Sequence, residues 1–98
     1  MKKRQLEWSA EARFEFVEAM SFYAERNTAA AKRMRNEINN AANSLIALPI
    51  AYPGRIGVIA GTRELVVGHH TPFTLTYREK DEVVEILHVW HQSQNVLE

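Results

Sequence analysis

The stretch from Gly61 to His91 constrains this chain more than any other. It runs Gly-Thr-Arg-Glu-Leu-Val-Val, then a break at Gly68-His69-His70-Thr71-Pro72, then Phe-Thr-Leu-Thr-Tyr-Arg. A second break, Glu79-Lys80-Asp81-Glu82, leads into Val-Val-Glu-Ile-Leu-His-Val-Trp-His. Three runs rich in β-branched and aromatic residues, split by two short polar breaks, are the pattern of consecutive strands in an antiparallel meander. The first break holds Gly and Pro, the strongest local interrupters. The second is wholly charged and must lie in water. Connections this short leave no room for crossover helices, so these three strands are not parallel to one another.

The last run, Val83 to Val89, is apolar on both parities apart from Glu85 and His88. Such a strand is expected at the centre of the sheet, covered on both sides. In the middle run Phe73, Leu75 and Tyr77 share one face. Thr74, Thr76 and Arg78 share the other, which is expected to face solvent or a partner.

Before the sheet, the periodicity changes. Gln5, Leu6, Glu7 and Trp8 alternate and predict a short first strand. Ser9 stands where a helix N-cap belongs, with Glu11 in the first turn where the helix dipole favours an anion. From Ala10 to Arg26 the pattern is helical, with Ala12, Phe16, Ala19, Met20 and Tyr23 on one face. Asn27 is expected to end this helix in a left-handed conformation, and Thr28 to cap the next. In the second helix Ala31, Met34, Ile38, Ala41, Leu45 and Leu48 recur at spacings of three and four. Pro49 ends it, because the residue before a proline avoids the α region. With one or two residues between them, the helices must form an antiparallel hairpin. Ile50 to Ala60 is a linker with a turn at Pro53-Gly54, and Arg55, Ile56, Val58 and Ile59 offer a further strand start. The expected architecture is α+β, one domain over residues 1–98. An N-terminal strand leads to an antiparallel αα-hairpin packed on a curled, mainly antiparallel sheet, in the order β-α-α-β-β-β.

Composition narrows the function classes. The 98 residues make one small domain with a thin core. With no cysteine, disulfides and cysteine-based metal sites or nucleophiles are excluded, and a reducing cytosolic setting fits. No apolar run is long enough to span a bilayer, so no membrane association is expected. No hydrophobic signal core follows Lys2, Lys3 and Arg4, so secretion is not indicated. Twelve basic and twelve acidic residues balance to zero net charge, which argues against nucleic-acid binding by bulk electrostatics.

The order of these elements, with the words they contain, resembles the ParE/RelE superfamily of toxins from bacterial toxin–antitoxin modules. The matching residues are Ser9-Ala10-Glu11-Ala12, Gly61-Thr62-Arg63-Glu64-Leu65-Val66-Val67, Pro72-Phe73, Tyr77-Arg78 and the run Val84 to Asn95. The ending His91-Gln92-Ser93-x-Asn95 looks most like the ParE branch. The resemblance implies a growth-inhibiting toxin neutralised by a cognate antitoxin, with which it forms a hetero-oligomer. ParE-like members are associated with poisoning DNA gyrase. The similar RelE branch consists of ribosome-dependent mRNA endoribonucleases.

Four side chains are expected to carry target binding: Arg55, Arg63, Arg78 and His91. On strands, the arginines can reach a phosphate, an antitoxin carboxylate or a gyrase surface. The plainer reading pairs them with neighbouring Glu64 or Glu85. Were the protein a nuclease, Arg63, Arg78, His88 and His91 would be the catalytic set, a histidine moving the proton and an arginine stabilising the phosphorane-like transition state. His88 between apolar neighbours fits a packed core histidine equally well, which leaves His91 the better candidate. The ribonuclease branch carries a denser basic cluster on the sheet and often a C-terminal Tyr. Here the second strand reads Leu65-Val66-Val67 and no aromatic follows Trp90, so binding is the leading expectation. Neighbouring His69 and His70 point apart in extended chain, so no metal is expected, and no cofactor motif is present.

Overall fold

The computed structural model describes residues 4–46, 55–68 and 71–91. Its elements are β1 (Gln5–Trp8), α1 (Ala10–Arg26), α2 (Thr28–Ser44), β2 (Arg55–Ile56), β3 (Arg63–Val66), β4 (Phe73–Lys80) and β5 (Val83–His91). The five strands form one open, mixed sheet in the order β1-β5-β4-β3-β2. The meander β3-β4-β5 is antiparallel, as its short connections require. β1 is added parallel to β5, with Leu6 opposite Val84 and Trp8 opposite Ile86. The chain between them, residues 9–82, is far longer than the crossover that a parallel pair needs, and the helical hairpin is its first part. The linker contributes β2 as an edge strand of two residues, paired with β3.

Ser9 makes the transition from strand to helix. Its hydroxyl accepts from the Ala12 N–H at 3.0 Å and donates to the Leu87 carbonyl at 3.0 Å. Its own N–H donates to the Ile86 carbonyl at 2.9 Å. One residue therefore caps α1 and continues the β1–β5 ladder past Trp8.

Asn27 alone joins the helices, and it works differently from expectation. Its backbone is extended, with φ −160° and ψ 99°, not left-handed. Its side chain accepts from the Ala30 N–H at 3.0 Å, which makes Asn27 the N-cap of α2 and Thr28 the first helical residue. Its N–H meanwhile donates to the Tyr23 carbonyl at 2.7 Å and closes α1.

The core lies between the hairpin and one face of the sheet. Phe73, Leu75 and Tyr77 of β4, Val84, Ile86 and Val89 of β5, and Met34, Ile38, Ala42 and Leu45 of the second helical segment form one buried cluster. The expected seam holds at Ala31, Met34, Ile38 and Leu45, but Ala42 is buried where Ala41 is only half-buried. Straight α-geometry drifts from a strict heptad repeat, so the buried line moves by one residue within two turns. Leu48 and Pro49 lie outside the described residues.

β5 is an interior strand, as expected, flanked by β1 and β4. One expectation about the sheet changes: Thr76, expected to face solvent or a partner, is completely buried. Trp90 lies over it from β5 and donates its indole N–H to the Thr76 hydroxyl at 2.7 Å. A bulge makes this possible. Thr76 faces His88 while Tyr77 faces Ile86, so Leu87 is the extra residue and bends β5 at that point. The charged break after Arg78 is exposed as expected; β4 runs on to Lys80, and Asp81 turns the chain at φ 57°.

Candidate functional site

The face of the sheet turned away from the hairpin carries Arg55 and Arg78. Register places Arg55 opposite Glu64 and Arg78 opposite Glu85. Arg55 approaches Glu64 at 3.2 Å with its side chain 63% exposed, while the carboxylate is almost buried. The other Glu64 oxygen accepts from the Val58 N–H at 3.3 Å, so Glu64 also shapes the turn after β2. Arg78 holds one oxygen of Glu85 at 2.8 Å with both Nε and Nη2. Its side chain is half exposed, so the guanidinium still offers donors to a partner.

Arg63 sits elsewhere. It faces Tyr77 across β3 and β4, which puts it on the hairpin side of the sheet. The pairing expected between an arginine and Glu64 is made by Arg55, because Arg63 and Glu64 alternate to opposite faces.

The histidines are separated in the same way. His88, on the open face with Arg78, stacks on Trp90 with ring centroids 4.4 Å apart. Its Nδ1 lies 3.2 Å from the Glu15 carboxylate. The second Glu15 oxygen accepts from the Val89 N–H at 2.8 Å, so one side chain of α1 serves β5 beyond the end of β1. His91 is on the hairpin face, opposite Phe73 at the far end of β4. Its Nε2 is hydrogen-bonded to the Tyr23 hydroxyl at 2.8 Å, and its ring stacks on Tyr23 and meets Phe73 edge-on. Arg78 is five residues from Phe73 along β4, a separation of about 16 Å at strand spacing. Arg63, Arg78 and His91 thus do not converge on one point. His69 and His70 lie outside the described residues, and among the described residues no His, Asp or Glu cluster could hold a metal ion.

Several structural residues escaped the sequence reading. Arg4, only 12% exposed, donates to the Leu45 carbonyl at 2.7 Å and pairs with Glu79, tying the first strand to the end of the hairpin. Nothing in the sequence marks Glu15 as the partner of His88 and Val89. On α1, Phe14, Val17 and Phe22 are more than half exposed. Their signal was present in the sequence: three large apolar residues off the buried stripe of an amphipathic helix. Beside them, a groove of about 760 Å³ runs between α1 and the end of β5, with Glu15, Glu18, Phe22, Tyr23, Phe73 and His91 in its lining.

A family model described as the ParE toxin of the type II toxin-antitoxin system parDE matches residues 6–96. The chain belongs to the ParE toxin family. Among solved structures, a chain of the chromosomal ParDE system from P. aeruginosa superposes with a TM-score of 0.79 at 20% identity, covering 91% of this chain and 96% of that one. A chain of the E. coli DinJ-YafQ toxin-antitoxin complex superposes with a TM-score of 0.55 at 16% identity, covering 97% and 99%. At these identities the likeness shows a shared fold. No curated protein matches the sequence. Among the described residues no helix is long and apolar enough to cross a membrane.

Proposed function

We propose that this ParE-family chain arrests bacterial growth by binding DNA gyrase, and that a cognate antitoxin neutralises it. The observation that carries this reading is the dispersal of the cationic and imidazole groups. Phosphoryl chemistry needs its proton carrier and its charge stabiliser around one phosphate. Arg63 and Arg78 lie on opposite faces, and His91 is packed against Tyr23 and Phe73 about 16 Å away from Arg78. Surface recognition has no such requirement. Arg55 and Arg78, both on the open face and both half or more exposed, suit contact with an acidic surface. Arg63 and His91 would act through the hairpin side. The exposed apolar residues of α1 suit an antitoxin segment that folds as it binds.

The second reading is a ribosome-dependent mRNA endoribonuclease. One observation favours it: His88 and Arg78 share a face of the sheet, their partners Thr76 and Glu85 marking nearby register positions. Against it, His88 is committed to Glu15 and stacked on Trp90. Induction in cells, with DNA, RNA and protein synthesis followed separately, decides between them. Early arrest of replication with an SOS response is the expected result. Immediate arrest of translation with ribosome-dependent cuts in mRNA would replace it with the nuclease reading.

A further inference from the structure

The tip of the β2–β3 hairpin is built inside out. Ile56 is 81% exposed, and Val58, Ile59 and Ala60 are exposed beside it. The polar side chains of the same stretch, Thr62 and Glu64, are buried. A loop in water is expected to have the opposite order, since burying a hydroxyl or carboxylate is costly unless it is hydrogen-bonded. Here the buried polar groups hold the loop in shape. Thr62 donates its hydroxyl to the Ile59 carbonyl at 2.6 Å and its N–H to the same carbonyl at 3.1 Å. The Gly57 N–H donates to the Thr62 carbonyl at 2.9 Å, and Glu64 accepts from the Val58 N–H at 3.3 Å. Gly61 takes φ 80°, which residues with a β-carbon rarely adopt. At Gly57 a β-carbon would collide with the Thr62 hydroxyl. The apolar side chains are therefore presented on a fixed frame, and little ordering entropy is left to lose when they are covered.

Charge chooses what covers them. From Arg55 to Val67 the sole acid is Glu64. In the Arg55–Glu64 and Arg78–Glu85 pairs the guanidinium is the more exposed member, 63% against 10% and 50% against 27%. Both pairs thus turn the arginine outward and the carboxylate inward. Arg63 faces Ile56 in register, and Arg78 follows Tyr77, which faces Arg63. The apolar tip is flanked by guanidinium groups on both faces of the sheet. A second copy docked about a two-fold axis would bring both Arg55 side chains into one patch, like charge against like. Phosphates of a nucleic acid would take the arginines and leave Ile56 and Val58 against charge. A protein pocket with an apolar floor and an acidic rim uses both parts of the tip.

We propose that the β2–β3 tip is the element with which this chain engages its target protein. Ile56, Val58 and Ile59 enter an apolar pocket on gyrase, and Arg55 and Arg78 meet an acidic rim around it. The proposal rests on the reading that gyrase is the target. The apolar residues supply the anchor, and the arginines set its orientation.

The test titrates purified gyrase holoenzyme, with and without DNA, against the full chain and its variants, and measures growth arrest beside it. Ile56→Thr keeps the β-branch and should weaken gyrase binding about fivefold, and Ile56→Thr with Val58→Thr at least about tenfold. The sign of the rim is read by two charges at one position. Ile56→Asp should bind at least about tenfold more weakly than Ile56→Lys, because an acidic rim repels the first and attracts the second. Val17→Thr, at an exposed apolar residue of α1, should leave gyrase affinity unchanged. Thermal melts should match the parent, since the side chains at 56 and 58 are exposed, and each tip variant should still bind the antitoxin. Gyrase binding unchanged in the Ile56→Thr, Val58→Thr double variant overturns the tip proposal and leaves the gyrase reading standing. So does equal loss in the Asp and Lys variants, binding that requires DNA and ignores Ile56→Asp, or loss of the antitoxin or of self-association in place of gyrase. No binding of the parent chain to gyrase under either condition removes both.

Discussion

The Tyr23 hydroxyl and the His91 Nε2 lie 2.8 Å apart, joining the last turns of α1 to the last residue of β5. The contact closes an aromatic cluster in which Phe73 meets both rings edge-on. It fixes the far end of the hairpin to the sheet, as Ser9 fixes the helix start at the near end to Ile86 and Leu87. A histidine held this way is a packing residue with a polar tip.

Tyr23→Phe removes this hydrogen bond while keeping the ring. We expect a loss of about 0.5–1.5 kcal/mol in stability, the usual worth of one such bond. Chemical denaturation measures it directly. His91→Gln keeps a hydrogen-bonding group but cannot shuttle a proton. A toxin that acts by binding should still arrest growth with this substitution, while a nuclease using His91 would lose roughly 10²–10⁴-fold in rate. Full loss of growth arrest, in a His91→Gln protein that remains folded and antitoxin-bound, would overturn the binding reading.

Thr76 offers a cleaner test of the sheet's open face. It is fully buried and its hydroxyl accepts from the Trp90 indole. Thr76→Val preserves shape but strands a half-buried N–H. The expected cost is about 1–3 kcal/mol, the penalty for one unsatisfied donor. Thr76→Ser keeps the acceptor and should recover part of that loss. Equal stability of the Val and Ser variants would mean that the indole bond contributes nothing.

Much of this arrangement was legible in the chain. Ser9, the periodicity of Ala10–Arg26 and the three runs from Gly61 to His91 fix helix and strand identities by local rules alone. Asn27 ends α1 as expected, but in an extended and not a left-handed conformation, because a one-residue joint must also accept from the next helix's N–H groups. Thr76 was misread for a different reason. Alternation assigns a face, but only the bulge at Leu87 and the reach of Trp90 decide whether that face is covered. The scattering of Arg63, Arg78 and His91 follows from register, which no single strand contains. Glu15 was opaque because its partners, Val89 and His88, lie more than seventy residues away.

Ile38 measures how far the hairpin depends on its seam. It is completely buried within the core cluster. Ile38→Ala should cost about 2–5 kcal/mol, a large share of what a domain this small possesses. Ile38→Asp would bury an unpaired charge and should leave the protein unfolded. The check is circular dichroism with a thermal melt. A soluble Ile38→Asp variant that melts at the parent's temperature would place Ile38 outside the core.

Arg78 separates stability from target binding. Its ion pair with Glu85 is half exposed, so screening and side-chain entropy leave such a pair worth about 0–1 kcal/mol. Arg78→Ala should therefore barely move the melting curve. If the open face meets an acidic target, the same change removes a cation from the interface and should weaken growth arrest. Glu85→Gln gives the opposite arm: it frees the guanidinium from its charged partner while conserving size, and growth arrest should persist or strengthen. Arg55→Ala, on the same face and paired with Glu64, should behave like Arg78→Ala. The measurement is the inducer concentration that halves the growth rate, taken alongside protein level by immunoblot. Unchanged potency in the Arg55→Ala, Arg78→Ala double variant at equal protein level would exclude the open face from target recognition. Recognition would then have to run through the hairpin side, where Arg63 and His91 lie.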